Sequence, residues 1–540
     1  MSKDFFKELG KKGIPYFIGG NIIFLLICFV INRFFLFIPL NAKFLFRFLM
    51  NLAFIDGSIL VIYGAINRKK RLIQGVLISF VLIILLAVVS TSKIINYEKY
   101  RGLAGEIETR QFTKEIKTVD VDKLPINNSA LARNLADKKL GEIPSLGSQV
   151  TIGEFTIQNV GGELYYVAPL EHSGFFKWNR NKKGTQGYVI VSATKENEVK
   201  LVTELNGQPL NMKYLDSAYF GSYLNRYAYS KVNNHGLTDF SFELDDSGNP
   251  HWVISMYDLS IGLSGKKIVG TLIINSQTGE SNSYSVEETP QWVDRIQPNI
   301  IMEENLNNWG ELIHGVFNFS NRDKLMLTEG NKVLYNGEDC YYYTGITSVG
   351  ADESLVGFLL TNTRSSETTM YKMSGAIETA GMKSAEGKVQ QFDYEATFPI
   401  LINLEEQPTY FTTLLDKKGL IKSYAFVSVS NYNIVGVGET IQQAYNSYIQ
   451  GLSRDASSNL TKDNNFEEVE GTIERVGIVI NNNVSYYIFT IKDTKEKFIV
   501  STEISKEPAI TTVGDTIKIK FIQSENDIIT VKEFENLSIK

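Results

Sequence analysis

Four histidines, His172, His235, His251 and His314, are the side chains of this 540-residue chain best suited to proton transfer near neutral pH. None has a second histidine three or four positions away, so no helical face offers two imidazoles to a metal. The sequence has no HExxH, no G-x-S-x-G elbow and no G-x-x-x-x-G-K-[ST] phosphate loop. IGLSGKKIVG, 261–270, lacks the hydroxyl after its lysine and the spacing of the first glycine. ELDDSGNPH, 243–251, has the acidity of a calcium loop, but Asp245, Asp246 and Asn249 do not alternate as ligands must, and a hairpin turn is predicted instead. Asp352 and Glu353 are adjacent, so a strand sends them to opposite faces rather than pairing them across a sugar. The expectation is no catalytic set, no metal site and no cofactor.

HSGFFKWNRNKKGTQGY, 172–188, is the most distinctive loop, setting Phe175, Phe176 and Trp178 beside Lys177, Arg180, Lys182 and Lys183. Rings among cations next to a membrane can touch headgroups, an anionic wall polymer or a protein partner. They can equally pack on their own sheet, and both readings stand at this point.

The elements that must carry these residues begin with apolar runs at 14–38, 44–66 and 72–90, which predict three transmembrane helices in an anchor over residues 1–92. The third run is uncharged; the second carries Arg47 near one end and Asp56 near its middle. Cations in short loops stay cytoplasmic. The quartet Arg68, Lys69, Lys70 and Arg71 therefore faces inward, together with Lys3, Lys7, Lys11 and Lys12, and the chain beyond about residue 92 lies outside. Arg33, Lys43 and Arg47 flank the outer side and oppose that bias. Asp56 is an intramembrane carboxylate, costly enough to mark an ion path or a polar helix contact. One acid in three spans is too little for a transporter, so pairing with Arg47 or a neighbouring helix is expected.

Residues 93–148 read as a polar stalk containing one short helix, capped by Ser129 and stopped at Gly141. A grammar then recurs. An aromatic-led strand (GGELYYVAPL 161–170, GNPHWVISMYD 248–258, GEDCYYYTGIT 337–347, EQPTYFTTLLD 406–416) is followed by an apolar strand and a polar turn (187–202, 269–286, 356–373, 424–437). Alternation of β-branched and aromatic residues argues strands, and the spacing argues duplicated α+β units, two in 149–300 and two in 301–454. A helix over 438–454 closes the fourth, with Ile441, Ala444, Tyr445, Tyr448 and Ile449 on one face. DASSNLTKDNN, 455–465, has a linker composition.

The second unit, with Thr278, Gly279 and Glu280 in its turn and Asn275 where aspartate is common, resembles the PepSY family of small extracytoplasmic α+β modules. The first unit lacks that glycine, the third has Arg364 and Ser365, and the fourth departs further. The resemblance implies an envelope module that binds partners or restrains peptidases rather than one that catalyses. The last part, 465–540, offers five strands with a loop between the third and fourth, and resembles an OB-type barrel. Acidic residues outnumber basic ones there by 13 to 9, so Tyr486, Tyr487 and Phe489 read as packing rather than as a single-strand nucleic-acid platform.

A net charge of −6 and a pI near 5.6 argue against a nucleic-acid partner. Two distant cysteines, Cys28 and Cys340, give no intramolecular disulfide, which fits a bacterial envelope better than a eukaryotic ectodomain. The expected molecule is a multi-pass protein of the bacterial cytoplasmic membrane whose large C-terminal region lies outside. It would contact lipid and a protein partner or second copy, as a binding protein, scaffold or accessory subunit. The alternative is an envelope hydrolase or transferase whose site is assembled from distant residues, such as His172 or His314 with an acid.

Overall fold

The computed structural model describes residues 19–35, 39–112, 124–336, 339–350, 354–404, 407–454, 466–481, 484–502, 504–522 and 528–539. The N-terminal lysines, the pair Asp352 and Glu353, and the 455–465 linker lie outside them. The molecule is mixed α+β, with an apolar helical region ahead of many sheets.

Among the described residues two helices, not three, are long and apolar enough to cross a membrane: α2 (Ala42–Ile66), and α3 (Lys70–Thr91), which runs on into α4 (Lys93–Gly102). The described part of the first apolar run forms a shorter helix, α1 (Gly19–Phe35), whose last turn widens into a π-helix at Ile31–Phe35. That turn carries Arg33, which an uninterrupted span would have to bury in lipid. Instead the guanidinium reaches the folded head, donating to Asn233 Oδ1 at 2.6 Å and to the Tyr229 carbonyl. Of the three cations that oppose the predicted orientation, Arg33 is thus bonded to protein. Leu40 N donates to Asn233 O at 2.8 Å, and Leu263 N to Thr91 Oγ1 at 3.1 Å. The end of α1, the start of α2 and the end of α3 therefore all meet the head. The Arg68–Arg71 turn sits at the opposite end of the hairpin, about 33 Å away along the 22 residues of α3.

Residues 93–112 are not a stalk. Tyr100 and Phe112 are buried, and β1 (Ile107–Gln111) adds in parallel to a sheet strand some 260 residues further on. Sequence reading misses this because a parallel partner so distant leaves no local mark. The helix after it, α5 (Ser129–Gly141), is capped by Asn128 rather than Ser129: Asn128 Oδ1 accepts from Leu131 N at 2.8 Å.

Four helix-and-meander units follow. The first joins α5 to β2 (Val150–Ile152), β3 (Thr156–Val160), β4 (Glu163–His172), β5 (Tyr188–Ser192) and β6 (Val199–Val202), with the short α6 (Phe175–Arg180) between β4 and β5. The second has α7 (Leu224–Lys231), β7 (Gly236–Leu244), β8 (Pro250–Ile261), β9 (Ser264–Asn275) and β10 (Ser281–Ser285). The third has α8 (Asn299–Glu311), β11 (Leu325–Leu327), β12 (Lys332–Asn336), β13 (Asp339–Ser348), β14 (Ser354–Asn362) and β15 (Thr368–Ala376), with β1 beside β15. The fourth has α9 (Glu378–Lys388), β16 (Glu395–Ala396), β17 (Ile400–Leu404), β18 (Gln407–Leu415), β19 (Ile421–Ser428) and β20 (Val435–Gly438), closed by α10 (Ile441–Arg454).

The units agree bond for bond where their sequences do not. In each, the residue after the second central strand (Ala193, Ser276, Thr363 or Val429) donates its N–H to a carbonyl near the start of the first (Leu164, Pro250, Cys340, Pro408). Its own carbonyl accepts from the segment leading into the unit's helix: Ile126 and Asn127, Lys213 and Tyr214, Ile296 and Gln297, and Ala376. The turn of the second unit is built by Asn275 Oδ1, which accepts from Gln277 N and Thr278 N, with Gly279 at φ +78°. The third unit makes the same turn with Asn362 accepting from Arg364 N and Ser365 N, and puts Ser366 at φ +63° where the second has glycine. Asp245 likewise holds the 245–249 turn, as expected, accepting from Ser247 N and Asn249 N.

Alternation along the strands assigns the layers. The first and second sheets share one core, with Val167 and Leu170 against Phe242 and Trp252. One face of the third sheet (Tyr342, Leu359, Met370) packs on Met302 and Leu306 of α8. Part of its other face (Tyr343, Phe358) meets Tyr410 and Val427 of the fourth sheet. The far face of the fourth sheet (Phe411, Phe426) takes the predicted apolar face of α10, with Ala444 and Tyr448 buried.

The C-terminal strands β21 (Phe466–Asn481), β22 (Val484–Ile491), β23 (Lys497–Ser501), β24 (Thr516–Ile522) and β25 (Ile528–Asn536) close into a barrel in the order β21-β22-β23-β25-β24. β23 and β25 are parallel, and a short 3₁₀ turn, Glu507–Ile510, lies between β23 and β24. The 16-residue β21 serves both halves, pairing with β24 up to Thr472 and with β22 from Ile473. It turns the corner at Gly471, where a Cβ would strike the Ile491 side chain.

Candidate functional site: a cavity where three sheets meet

The register of the third sheet lays out a row of side chains. Lys332 lies opposite Tyr343, Tyr343 opposite Leu360, and Leu360 opposite Thr369; a second row runs Gly345, Phe358, Tyr371, Arg110. Apart from Gly345, which Glu378 covers, these rows floor a cavity of about 970 Å³. Its walls come from β3 and β4 (Phe155, Ile157, Leu164, Tyr166), from the fourth unit (Phe398 and Ile400–Ile402), and from the first turn of α5. That volume is at the upper end of small-molecule sites, and the lining is of the usual kind, mostly apolar and aromatic with a few polar groups. Phe358 and Tyr371 stack at 5.0 Å between centroids and 11° between planes. Tyr335 OH donates to Ile157 O at 2.9 Å and ties the third unit to the first across the rim.

The polar lining is one-sided. Arg110, Arg295 and Lys332 contribute cations, and among the described residues no carboxylate lines the space. Arg110 is paired with Glu108 at 2.7 Å. Arg295 lies against Glu243, a buried carboxylic acid of β7 that burial pushes up to about 8 despite the guanidinium. Neither Glu243 oxygen has a hydrogen-bond partner, nor do Arg295 Nε and Asn299 Oδ1. Asp294 accepts from Asn159 N at 2.6 Å and is itself raised by burial to about 6. Among the described residues Lys332 has no such acid. Its Nζ donates to the Phe398 carbonyl at 3.4 Å, and burial alone draws its ammonium down to about 8. Glu378 of α9 sits over Gly345, whose missing side chain makes the room, and accepts from Tyr343 OH at 2.6 Å. Cys340 is buried and its thiol is pushed up to about 12, so it is no nucleophile.

The residues singled out by sequence lie elsewhere. Arg68, Lys69, Lys70 and Arg71 form the exposed turn of the helical hairpin, with Lys69 Nζ 5.2 Å from the Tyr63 ring centre. Asp56 is half-buried on α2, with Oδ1 shut from solvent and unpartnered. Arg47, nine positions away, is about 13 Å along the helix and forms no ion pair with it. The aromatic loop contains the helix α6: Trp178 is buried, ringed by Phe175, Tyr219 and Phe220, while Phe176 stays 79% exposed. Lys177 and Arg180 close the last turn of α6, and Lys182 covers the Trp178 ring. Thus the cluster is part packing, part surface.

His172 is buried, and burial lowers its pKa. The other histidines each meet an aspartate: His235 with Asp258 at 2.8 Å, His251 with Asp245 at 3.3 Å, His314 with Asp323 at 2.9 Å. None lines the cavity. What sequence reading passed over is Lys332 and the CYYYTG run. Three consecutive tyrosines on one strand require something to cover both faces, and that signal predicts a second wall.

No family model matches the chain, and no curated protein matches it. Among solved structures, a GH32 beta-fructofuranosidase of Bombyx mori aligns over 76% of this chain and 70% of its own, at 9% identity and a TM-score of 0.17. A B. megaterium levansucrase mutant aligns over 77% and 98%, at 9% identity and a TM-score of 0.15. At such scores these alignments define neither a shared fold nor a shared activity.

Proposed function

We propose that the chain is a membrane-anchored binding protein of the bacterial envelope, with the helical hairpin in the cytoplasmic membrane and the four units and barrel outside it. One observation carries this reading: the hairpin ends that touch the head lie opposite the Arg68–Arg71 turn, so cations held at the inner leaflet leave the head outside. Two rings support it. Phe317 and Phe319, 65% and 85% exposed, follow on Val316, which joins Tyr97 of α4 in packing against the cluster of Tyr100, Ile261 and Leu312 where α3 leaves the hairpin. Aromatics at that level suit the headgroup zone.

Within the head, the junction cavity is the binding site, and the family readings follow the same line. Bond-level repetition of the units supports PepSY-like modules, and the barrel's strand order with its parallel β23–β25 pair supports an OB-type barrel. Catalysis gains no comparable support. Three of the four imidazoles bond to aspartates away from the cavity, His172 does not line it either, and the buried acids Glu243 and Asp294 are not among its lining residues.

Topology is tested with single cysteines against the buried native Cys28 and Cys340. In intact cells a membrane-impermeant maleimide is expected to label Phe319→Cys and to spare Lys69→Cys until the membrane is opened. Labelling of Lys69→Cys alone would refute the orientation.

A further inference from the structure

We infer that the junction cavity takes an amphipathic ligand, an aliphatic or aromatic body carrying one anionic group, carboxylate or phosphate, that meets Lys332. The inference rests on the cavity being the binding site and adds the chemistry of what fills it. The lining is apolar and aromatic along Tyr343, Leu360, Phe358 and Tyr371, which fits a hydrophobic body. Among the described residues it contains cations and no carboxylate, so a cationic ligand would find no counter-charge there.

Lys332 is the group that asks for an anion. It sits on an edge strand of the third sheet but faces the cavity. Its one hydrogen bond is a long one to a backbone carbonyl, and among the described residues no acid forms an ion pair with it. Arg110 is paired with Glu108, and Arg295 has the acid Asp239 close by as well as Glu243. A half-buried ammonium with no counter-ion among the described residues costs the free protein some stability, and a bound anion offsets that cost. Arg295 Nε and Asn299 Oδ1, both unpartnered in the same lining, can serve polar atoms further along the ligand.

The test uses the full-length chain in lipid nanodiscs, with empty discs subtracted, and the probe pair pyrenebutanoate and neutral pyrenebutanol followed by fluorescence. The anion is expected to bind at least tenfold more tightly than the alcohol. Lys332→Met is expected to lower anion affinity to about that of the alcohol, so that the preference between the two probes is lost, and to raise the melting temperature, because the unpaired charge is gone. Lys332→Arg should retain most of the preference. Equal affinity for both probes, unchanged by Lys332→Met, would overturn the anion assignment while leaving the cavity reading intact. If neither probe binds above empty discs, both fall. Displacement of pyrenebutanoate by inorganic phosphate at equal concentration would overturn the amphiphile in favour of a free anion.

Discussion

The two faces of the third sheet are made by the same strands and end in opposite states. On one, Tyr342, Leu359 and Met370 are sealed by α8. On the other, Tyr341 and part of the neighbouring rows look into a cavity of about 970 Å³. Tyr341 and Tyr342 are adjacent and chemically identical, so composition cannot account for the difference. What differs is the number of partners. One helix can lie along a sheet and follow its twist, whereas three sheets meeting at a corner leave space that side chains do not fill. That space persists although closing it would gain burial, and its floor is aromatic with Lys332 at its edge.

The sharpest way to break this comparison is to truncate each tyrosine. Tyr342→Ala removes a fully buried ring from a packed face and should cost about 3–5 kcal/mol, whereas Tyr341→Ala enlarges a space already present and should cost about 1 kcal/mol. Chemical denaturation of both variants measures this. Equal losses would mean that the cavity face is as tightly packed as the α8 face.

A second effect sharpens the electrostatic side of the cavity. Glu243 keeps its proton in the folded state up to about pH 8, while the unfolded chain gives it up near pH 4.3. Between those values the folded state holds the extra proton. Its contribution is therefore complete below the unfolded pKa and is lost as pH rises through the folded one, at up to about 1.4 kcal/mol per pH unit. Glu243→Gln should flatten the fall of melting temperature between about pH 5 and pH 8 relative to the parent. Parallel curves would show that Glu243 is ionised in the fold and paired with Arg295.

Much of the local structure was legible. The barrel strands, the α10 face and the Asp245 turn all follow from alternation or turn chemistry within a dozen residues. The recurring aromatic-led strands were legible too, although the bonds that make the units equivalent run through backbone groups that no side-chain pattern reveals. The cavity was not legible, because Lys332 opens a short apolar strand and reads as a solvated strand end. Only the arrival of the first and fourth units turns it inward. Arg33 misled for the same reason: a cation in an apolar run reads as a topological signal until its partner, 200 residues away, is in place.

The smallest effect concerns the wall rather than the floor. Asn128 lines the cavity and caps α5, accepting from Leu131 N at 2.8 Å, so one side chain both ends the helix and shapes the site. Asn128→Ala should cost about 1 kcal/mol, the usual value of a lost cap, and Asn128→Asp should restore it by the same geometry with a charge suited to a helix N-terminus. The two substitutions part company over binding. The aspartate puts a carboxylate into a lining that has none, so it should weaken an anionic probe even as stability recovers. If it restores both stability and probe binding, the one-sided charge of the cavity is incidental, and the contrast between the two faces of the sheet reduces to packing alone.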